Sequence, residues 1–397
     1  MVFKSFRRRA SRGFTLIELL VSLLIAFIFL LATGMIVVET MRLDREETGR
    51  TQVQAELTQA MEYIQQDLAE ALYIYNDTEQ PNGDGIPDVI QRLYTPGWIR
   101  QPAGAIPVVA FWKLEPIPQG CYRTQREDGT PGDQIPNLQQ IREGRAILPV
   151  QPPPGFPRDR NGRNADWDTL VSRRGIYTLV VYYLRRNYNN AGNLADGSTT
   201  PWEGNARIDR FELRPFNTEG QNNCAGRSPF FRVDPDPFQE GFLAWPSQQA
   251  LQRLQREGTP QERIADAGNQ GPRLTTLVSN IFSSREGSPQ VAPACPQGYA
   301  FGGGRPNGVT FPVTFPGLGD NENDVGFHVC VRQSVGADRP QDVIINITAT
   351  AMERANPGLF RRYIRNATSV DISEVSRYLL PMQTQVLARG VINRPLS

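Results

Sequence analysis

Imidazole is nearly missing from this chain of 397 residues, in which His328 is the single histidine. Its scarcity removes the hydrolase mechanisms that need a histidine beside a nucleophile, and the metal sites built on imidazole pairs. Lysine is almost as rare: Lys4 and Lys113 are the two among 42 basic residues, so arginine carries the positive charge. The four cysteines, Cys121, Cys224, Cys295 and Cys330, stand far apart, a spacing that fits no zinc motif. Net charge of one sign is also lacking. Removing residues 1–13 takes away five basic and no acidic side chains, leaving 37 basic against 41 acidic residues. A mildly acidic remainder offers no general attraction to nucleic acid, and none is expected as a partner. Gly302-Gly303-Gly304 lacks the lysine and following helix of a phosphate loop and reads as a turn. The carboxylates form no preferred pair for glycoside hydrolysis, which is a matter of tertiary spacing. With no catalytic constellation in view, the chain is not expected to be an enzyme, and no cofactor is expected beyond a candidate calcium ion.

What the sequence does contain begins at its start. Lys4, Arg7, Arg8, Arg9 and Arg12 precede Gly13-Phe14-Thr15-Leu16-Ile17-Glu18, and apolar residues then run almost unbroken to Val38. As a helix, residues 19–38 span about 30 Å, the thickness of a bilayer hydrocarbon core. The basic flank puts the amino terminus in the cytoplasm and the bulk of the chain outside. Glu18 is out of place there, since an acid in hydrocarbon costs roughly 2.5–3.5 kcal/mol. Cleavage after Gly13 would create an amine on Phe14, four residues before Glu18 on the same helix face and able to neutralise it. An ordinary secretory signal has a shorter apolar core and no place for the glutamate, and a plain signal anchor does not need this order of residues.

These residues resemble the class III signal of type IV pilins and type II secretion pseudopilins. The resemblance implies that a prepilin peptidase cuts after Gly13, that Phe14 is then N-methylated, and that Glu18 guides filament assembly. It also implies partners: the peptidase, other major and minor pilins or pseudopilins, an inner-membrane assembly platform and membrane lipid. The expected location is the inner membrane, crossed once, and then a periplasmic or extracellular filament.

Beyond the membrane segment, Val53, Leu57, Met61, Ile64, Leu68, Leu72 and Tyr75 recur at intervals of three and four, one amphipathic face. A continuous helix over residues 14–75 would be about 93 Å long. Gly34 is its one internal breaker, weaker than a proline. The helix resembles the pilin spine, and the stretch from Ala55 to Leu68 resembles the large minor pseudopilins of J or W type. Proline-rich insertions in a long β domain further resemble the minor pilins of cyanobacterial polysaccharide secretion.

The rest reads as strands at 106–114, 176–184, 206–213, 309–315, 325–331, 343–352 and 369–376, with 359–365 as an eighth. Thr178 to Tyr183 has no polar alternation and is expected at the sheet centre, whereas in 342–350 one face should be buried and the other largely wet. Long connections, 116–174 with Pro152-Pro153-Pro154 and 246–272 with a short helix at 248–256, separate the strands. The expected fold is therefore α+β: a cytoplasmic leader (1–13), a transmembrane (14–38) and an amphipathic (39–75) part of a spine helix, and an exported domain (76–397). In that domain a mainly antiparallel sheet carries long loops.

Four sets of residues are weighed as sites. Asn82, Asp84, Gly85 and Asp88 match positions of a calcium loop, although Gln80 and Gln91 stand where acids belong; Asp320, Glu322 and Asp324 form a second acidic loop. The cysteines, all in the exported part, read as disulfides with three pairings open; proximity favours Cys295–Cys330 and Cys121–Cys224. Arg361, Arg362 and Arg365 read as solvated charge rather than a polyanion site. Trp98, Trp112, Trp167, Trp202 and Trp245 read mainly as packing, with sugar stacking as the alternative that would make the domain a pilus-carried adhesive or carbohydrate-binding module.

Overall fold

The computed structural model describes residues 15–75, 105–115, 176–188, 193–194, 202–213, 273–283, 295–301, 326–332, 341–366 and 370–389. Helix α1, Leu16–Ala69, is a single run of 54 residues through Gly34. It stops short of Tyr75. Glu70 caps it, and Ala71–Ile74 turn away as strand β1, paired antiparallel with Lys113 to Phe111. The spacing of Leu68, Leu72 and Tyr75 fits one helix face, yet the aromatic and β-branched run Tyr73-Ile74-Tyr75 gains a sheet partner by leaving it, so sheet pairing overrides the helical period.

Strands β2 (Ala105–Glu115), β3 (Ile176–Arg186), β4 (Ala206–Leu213) and β5 (Arg273–Ile281) follow β1 in a meander, each antiparallel to the last. Between β2 and β3 the register slips at Pro107/Val109, where proline has no N–H to give the ladder and Val108 is extra. As expected, β3 is central, and its described side chains from Tyr177 to Leu184 are buried. Strands β6 (Tyr299–Phe301), β7 (Phe327–Arg332), β8 (Asp342–Thr350) and β9 (Leu379–Leu387) form the second part, in which β8 lies between β7 and β9.

The two parts meet at a corner. Ile281 pairs with Ala349, the Phe282 N–H donates to the Thr348 carbonyl at 2.9 Å, and the Thr348 N–H donates to the Gly326 carbonyl at 2.8 Å. Hence β5 and β7 share one edge of β8, end to end. A Cβ on Gly326 would lie 1.6 Å from the Phe282 carbonyl oxygen, so only glycine fits the junction. On the opposite flank the Gln341 amide imitates a peptide group: it accepts from the Ile74 N–H and donates to the Ile74 carbonyl, both at 2.7 Å. The sheet thereby curls around α1.

Val53, Leu57, Met61, Ile64 and Leu68 fill the inside of the curl against Phe111, Val180, Ile208, Ile281, Val329, Ile345 and Ile347. At about 1.5–3 kcal/mol per buried side chain, these five hold the helix with on the order of 10 kcal/mol before ordering entropy.

Three expectations change. The 359–365 and 369–376 stretches are helical: α2 (Met352–Ala355), α3 (Pro357–Arg365) and α4 (Ile372–Ser376). The Asn356 side chain accepts from the Leu359 N–H with Pro357 in the first turn, and Asp371 accepts from the Ser373 N–H, two N-terminal caps that override β propensity. The outer face of β8 is not wet. Ile344 and Asp342 are buried, the former opposite Cys330 in register, the latter accepting from Tyr299 (2.6 Å) and Gln385 (2.7 Å). Strands β1, β5, β6 and β9 were not anticipated; β9 carries Pro381, which an edge strand tolerates. The expected strand at 309–315 and helix at 248–256 lie outside the described residues.

Candidate functional site

At its amino-terminal end α1 opens with Thr15 as N-cap. The Thr15 hydroxyl accepts from the Glu18 N–H at 3.3 Å and stands 3.5 Å from the Glu18 carboxylate. This is the geometry of a capping box, with an acid in the first turn where the helix dipole favours negative charge. Among the described residues Glu18 has no ion-pair partner. Gly13 and Phe14 lie outside the described residues.

From Leu16 to Thr48 the helix is bare except at half-buried Glu46, a rod of about 50 Å. Its most apolar window has a mean hydropathy of 2.8 and no burial, making it the one helix among the described residues long and apolar enough to cross a membrane. Gly49 is the first buried position. Residues 8–34 match the model of the prokaryotic N-terminal methylation motif. The chain is type IV pilin-like. No curated protein and no solved structure matches it. Motif and bare helix together make this pilin-like chain a membrane-anchored protein of the pilin and pseudopilin class.

Two sets of contacts fix the pilin-like spine in its domain. Near the membrane segment, a Cβ on Gly49 would lie 3.1 Å from the Arg354 Cβ, which measures how closely α1 approaches α2. Arg354 donates to Glu56 at 2.9 Å and also pairs with Glu203, and the Arg50 guanidinium donates to the Arg377 carbonyl. At the far end Asp67 is buried and accepts from Lys113 (2.9 Å), Tyr182 (2.6 Å) and Arg210 (2.7 Å). Lys113 also bridges to Glu115 at 2.9 Å, and Arg210 to Glu212. Burial pushes the Asp67 carboxyl up, but Arg210, Lys113 and the Tyr182 hydroxyl outweigh it and hold it below the usual range. Burial lowers Lys113, and Asp67 with Glu115 more than restores it, leaving the amine above its ordinary value. Sequence reading missed this network. Its signals were the lone lysine beyond the leader and an acid, Asp67, between Ile64 and Leu68 on the buried helix face.

The remaining candidates are dispersed. Cys295 and Cys330 form a disulfide with Cα atoms 5.6 Å apart, tying the segment before β6 to β7 as proximity suggested. Cys121, Cys224, Asn82, Asp84, Asp88, Asp320, Glu322, Asp324, Gly302 to Gly304, Trp98, Trp167 and Trp245 lie outside the described residues or, for Gly302 to Gly304, directly after β6 among them. Among the described residues no group of three or more His, Cys, Asp or Glu is placed to hold a metal. His328 is half-buried in β7, opposite Asn346. Trp112 is core, its indole N–H donating to the Tyr75 hydroxyl at 2.8 Å, whereas Trp202 is 40% exposed with the Arg207 guanidinium 4.5 Å over its ring. Arg361, Arg362 and Arg365 share the exposed face of α3.

Proposed function

We propose that this chain is a minor pilin or pseudopilin whose work is mechanical. Prepilin peptidase cuts between Gly13 and Phe14, the new amine is methylated, and Glu18 pairs with the amine of a neighbouring subunit as spines assemble from the inner-membrane platform. Lys4, Arg7, Arg8, Arg9 and Arg12 keep the leader in the cytoplasm and the curled domain outside. Filaments of this kind support export of macromolecules, polysaccharide among them.

The observation that carries the reading is continuity: the methylation motif over residues 8–34 runs into an unbroken helix that is bare over its apolar part and packed from Gly49 onward. A processed spine needs both halves, one to slide in lipid and pack on its neighbours, the other to carry cargo-facing structure. Glu18 serves two settings: in the membrane it completes the Thr15 cap, and in a filament an incoming amine supplies the cation it lacks. Amino-terminal mass spectrometry of the mature protein tests the reading. N-methyl-Phe14 is expected; an intact leader, or a chain beginning near Met35, overturns it.

A further inference from the structure

Which end of the domain faces the bilayer follows from the two sets of spine contacts. Gly49 and Arg50 meet α2 and Arg377, whereas Asp67 meets Lys113 and Arg210, about 27 Å further along α1. The strand ends near Asn187, Gly204, Ser283 and Thr350 therefore form the membrane-proximal base. Helix α3 lies on that base with its apolar side toward the strand ends. Phe360 packs edge-on to Tyr188 with ring centroids 6.1 Å apart, Tyr363 packs on Phe282 at 6.1 Å, and the Tyr363 hydroxyl donates to the Ser283 carbonyl at 3.2 Å. The opposite side, Gly358, Arg361, Arg362 and Arg365, is exposed and points away from the sheet.

We propose that this arginine face of α3, with half-exposed Trp202 beside it, docks on the anionic phospholipid headgroups of the leaflet from which α1 emerges. The proposal rests on α1 spanning the bilayer, and is independent of whether the chain enters a filament. Spacing supports it. From Val38, the end of the apolar run, to Gly49 the helix rises about 16 Å, of which the headgroup layer takes about 5–7 Å. The remainder is about the 10–12 Å thickness of one helix with its side chains, which α3 fills.

Charge supports it too. Helix α3 has three arginines and no acid. Arg361 and Arg365 make no ion pair among the described residues, and Arg362 has one exposed partner, Glu374 at 3.4 Å. The other acids of the base are engaged: Glu203 with Arg354 and Asn280, Glu353 with the Gly204 N–H, and Asp371 with the Ser373 N–H. Guanidinium groups take phosphate in a bidentate fork, and tryptophan is enriched at the membrane–water interface. Trp202 adjoins Glu203 and Gly204, which contact Arg354 and Glu353 of α2, so it belongs to the same base.

The test uses the full chain in lipid nanodiscs, with a polarity-sensitive fluorophore on Gly358→Cys. Cβ there meets only the Asn356 Oδ1, at an unstrained 3.6 Å. A second label at exposed Thr275→Cys, on the far end of β5, is the reference. In nanodiscs containing phosphatidylglycerol, quenching by headgroup spin-labelled lipid should reach position 358 and not 275. Replacing Arg361, Arg362 and Arg365 by Gln should lower the docked-to-undocked ratio about 100-fold, at about five-fold per charge. Salt at ~1 M, with a Debye length of ~3 Å, should act likewise. No quenching at 358 overturns the proposal, as does equal quenching in phosphatidylcholine alone or quenching that survives the three substitutions.

Discussion

Asp67 of the spine and Arg210 of β4 form a two-point pair, Nε to Oδ2 at 2.7 Å and Nη2 to Oδ1 at 3.3 Å, across 143 positions of sequence. Lys113 and Tyr182 complete the shell around the carboxylate. A buried acid so enclosed is a registration mark: α1 can slide or turn within the curled sheet only by leaving charges unpaired, and that is costly.

Asp67→Asn should therefore destabilise the full chain in detergent by about 3–5 kcal/mol, because Lys113 and Arg210 are left buried without their anion. Replacing Asp67, Lys113 and Arg210 together by apolar residues of similar volume should cost far less. Denaturant titration of both variants checks this. An equal loss in the two would mean that packing, not charge, holds the helix end.

The same network sets a pH window. Asp67 is held below its ordinary 3.8, so its contribution is full above that value and disappears as pH falls through the lower folded value. Lys113 is held above 10.5, so its contribution is full below 10.5 and lost as pH rises through the higher folded value. The stability gap between wild type and Asp67→Asn should be flat near neutrality and close in strong acid. A gap that widens in acid would contradict the assignment.

Gly49→Val should weaken the docking of spine on base by about 1–3 kcal/mol, since the added carbons enter a 3.1 Å gap to the Arg354 Cβ that is already tight. Faster proteolysis within α2 to α4, with the far end of α1 still protected, is the expected signature.

Removing the Cys295–Cys330 bridge by double substitution to Ala should cost about 2–4 kcal/mol for a loop of 35 residues. The loss should centre on β6 and β7 in hydrogen exchange, leaving β2 to β4 unchanged.

Glu18→Ala should leave membrane insertion intact and remove the protein from sheared filaments. Loss of the Thr15–Glu18 cap alone is worth about 1 kcal/mol and would only fray the first turn. Normal incorporation of the variant would assign Glu18 to capping and nothing more.

The spine was legible because its signal is long: twenty apolar positions, then a face repeating every three to four residues. So was β3, an apolar run bounded by turns. Short elements were harder. Asn356-Pro357 and Asp371-Ile372-Ser373 are start signals for helices, yet Leu359 to Arg365 and Val370 to Val375 are also apolar enough to read as strands, and the caps decide between them. The Asp67 network was hidden because pairing across 46 to 143 positions leaves no local trace beyond an acid on a buried face. The curl itself depends on Gln341 meeting Ile74, which no period in the sequence encodes.

That contact between Gln341 and Ile74 also orders events in time. The apolar face of the spine, Val53 to Leu68, is made early, while Val343, Ile345, Ile347 and Val386, which help cover it, come from the last fifth of the chain. At roughly 5–20 residues per second of synthesis, the face waits on the order of tens of seconds for its cover. During that interval the nascent domain is an open half-shell beside a bilayer, so its biogenesis calls for a holding factor on the export side or for folding delayed until the carboxyl-terminal strands have crossed.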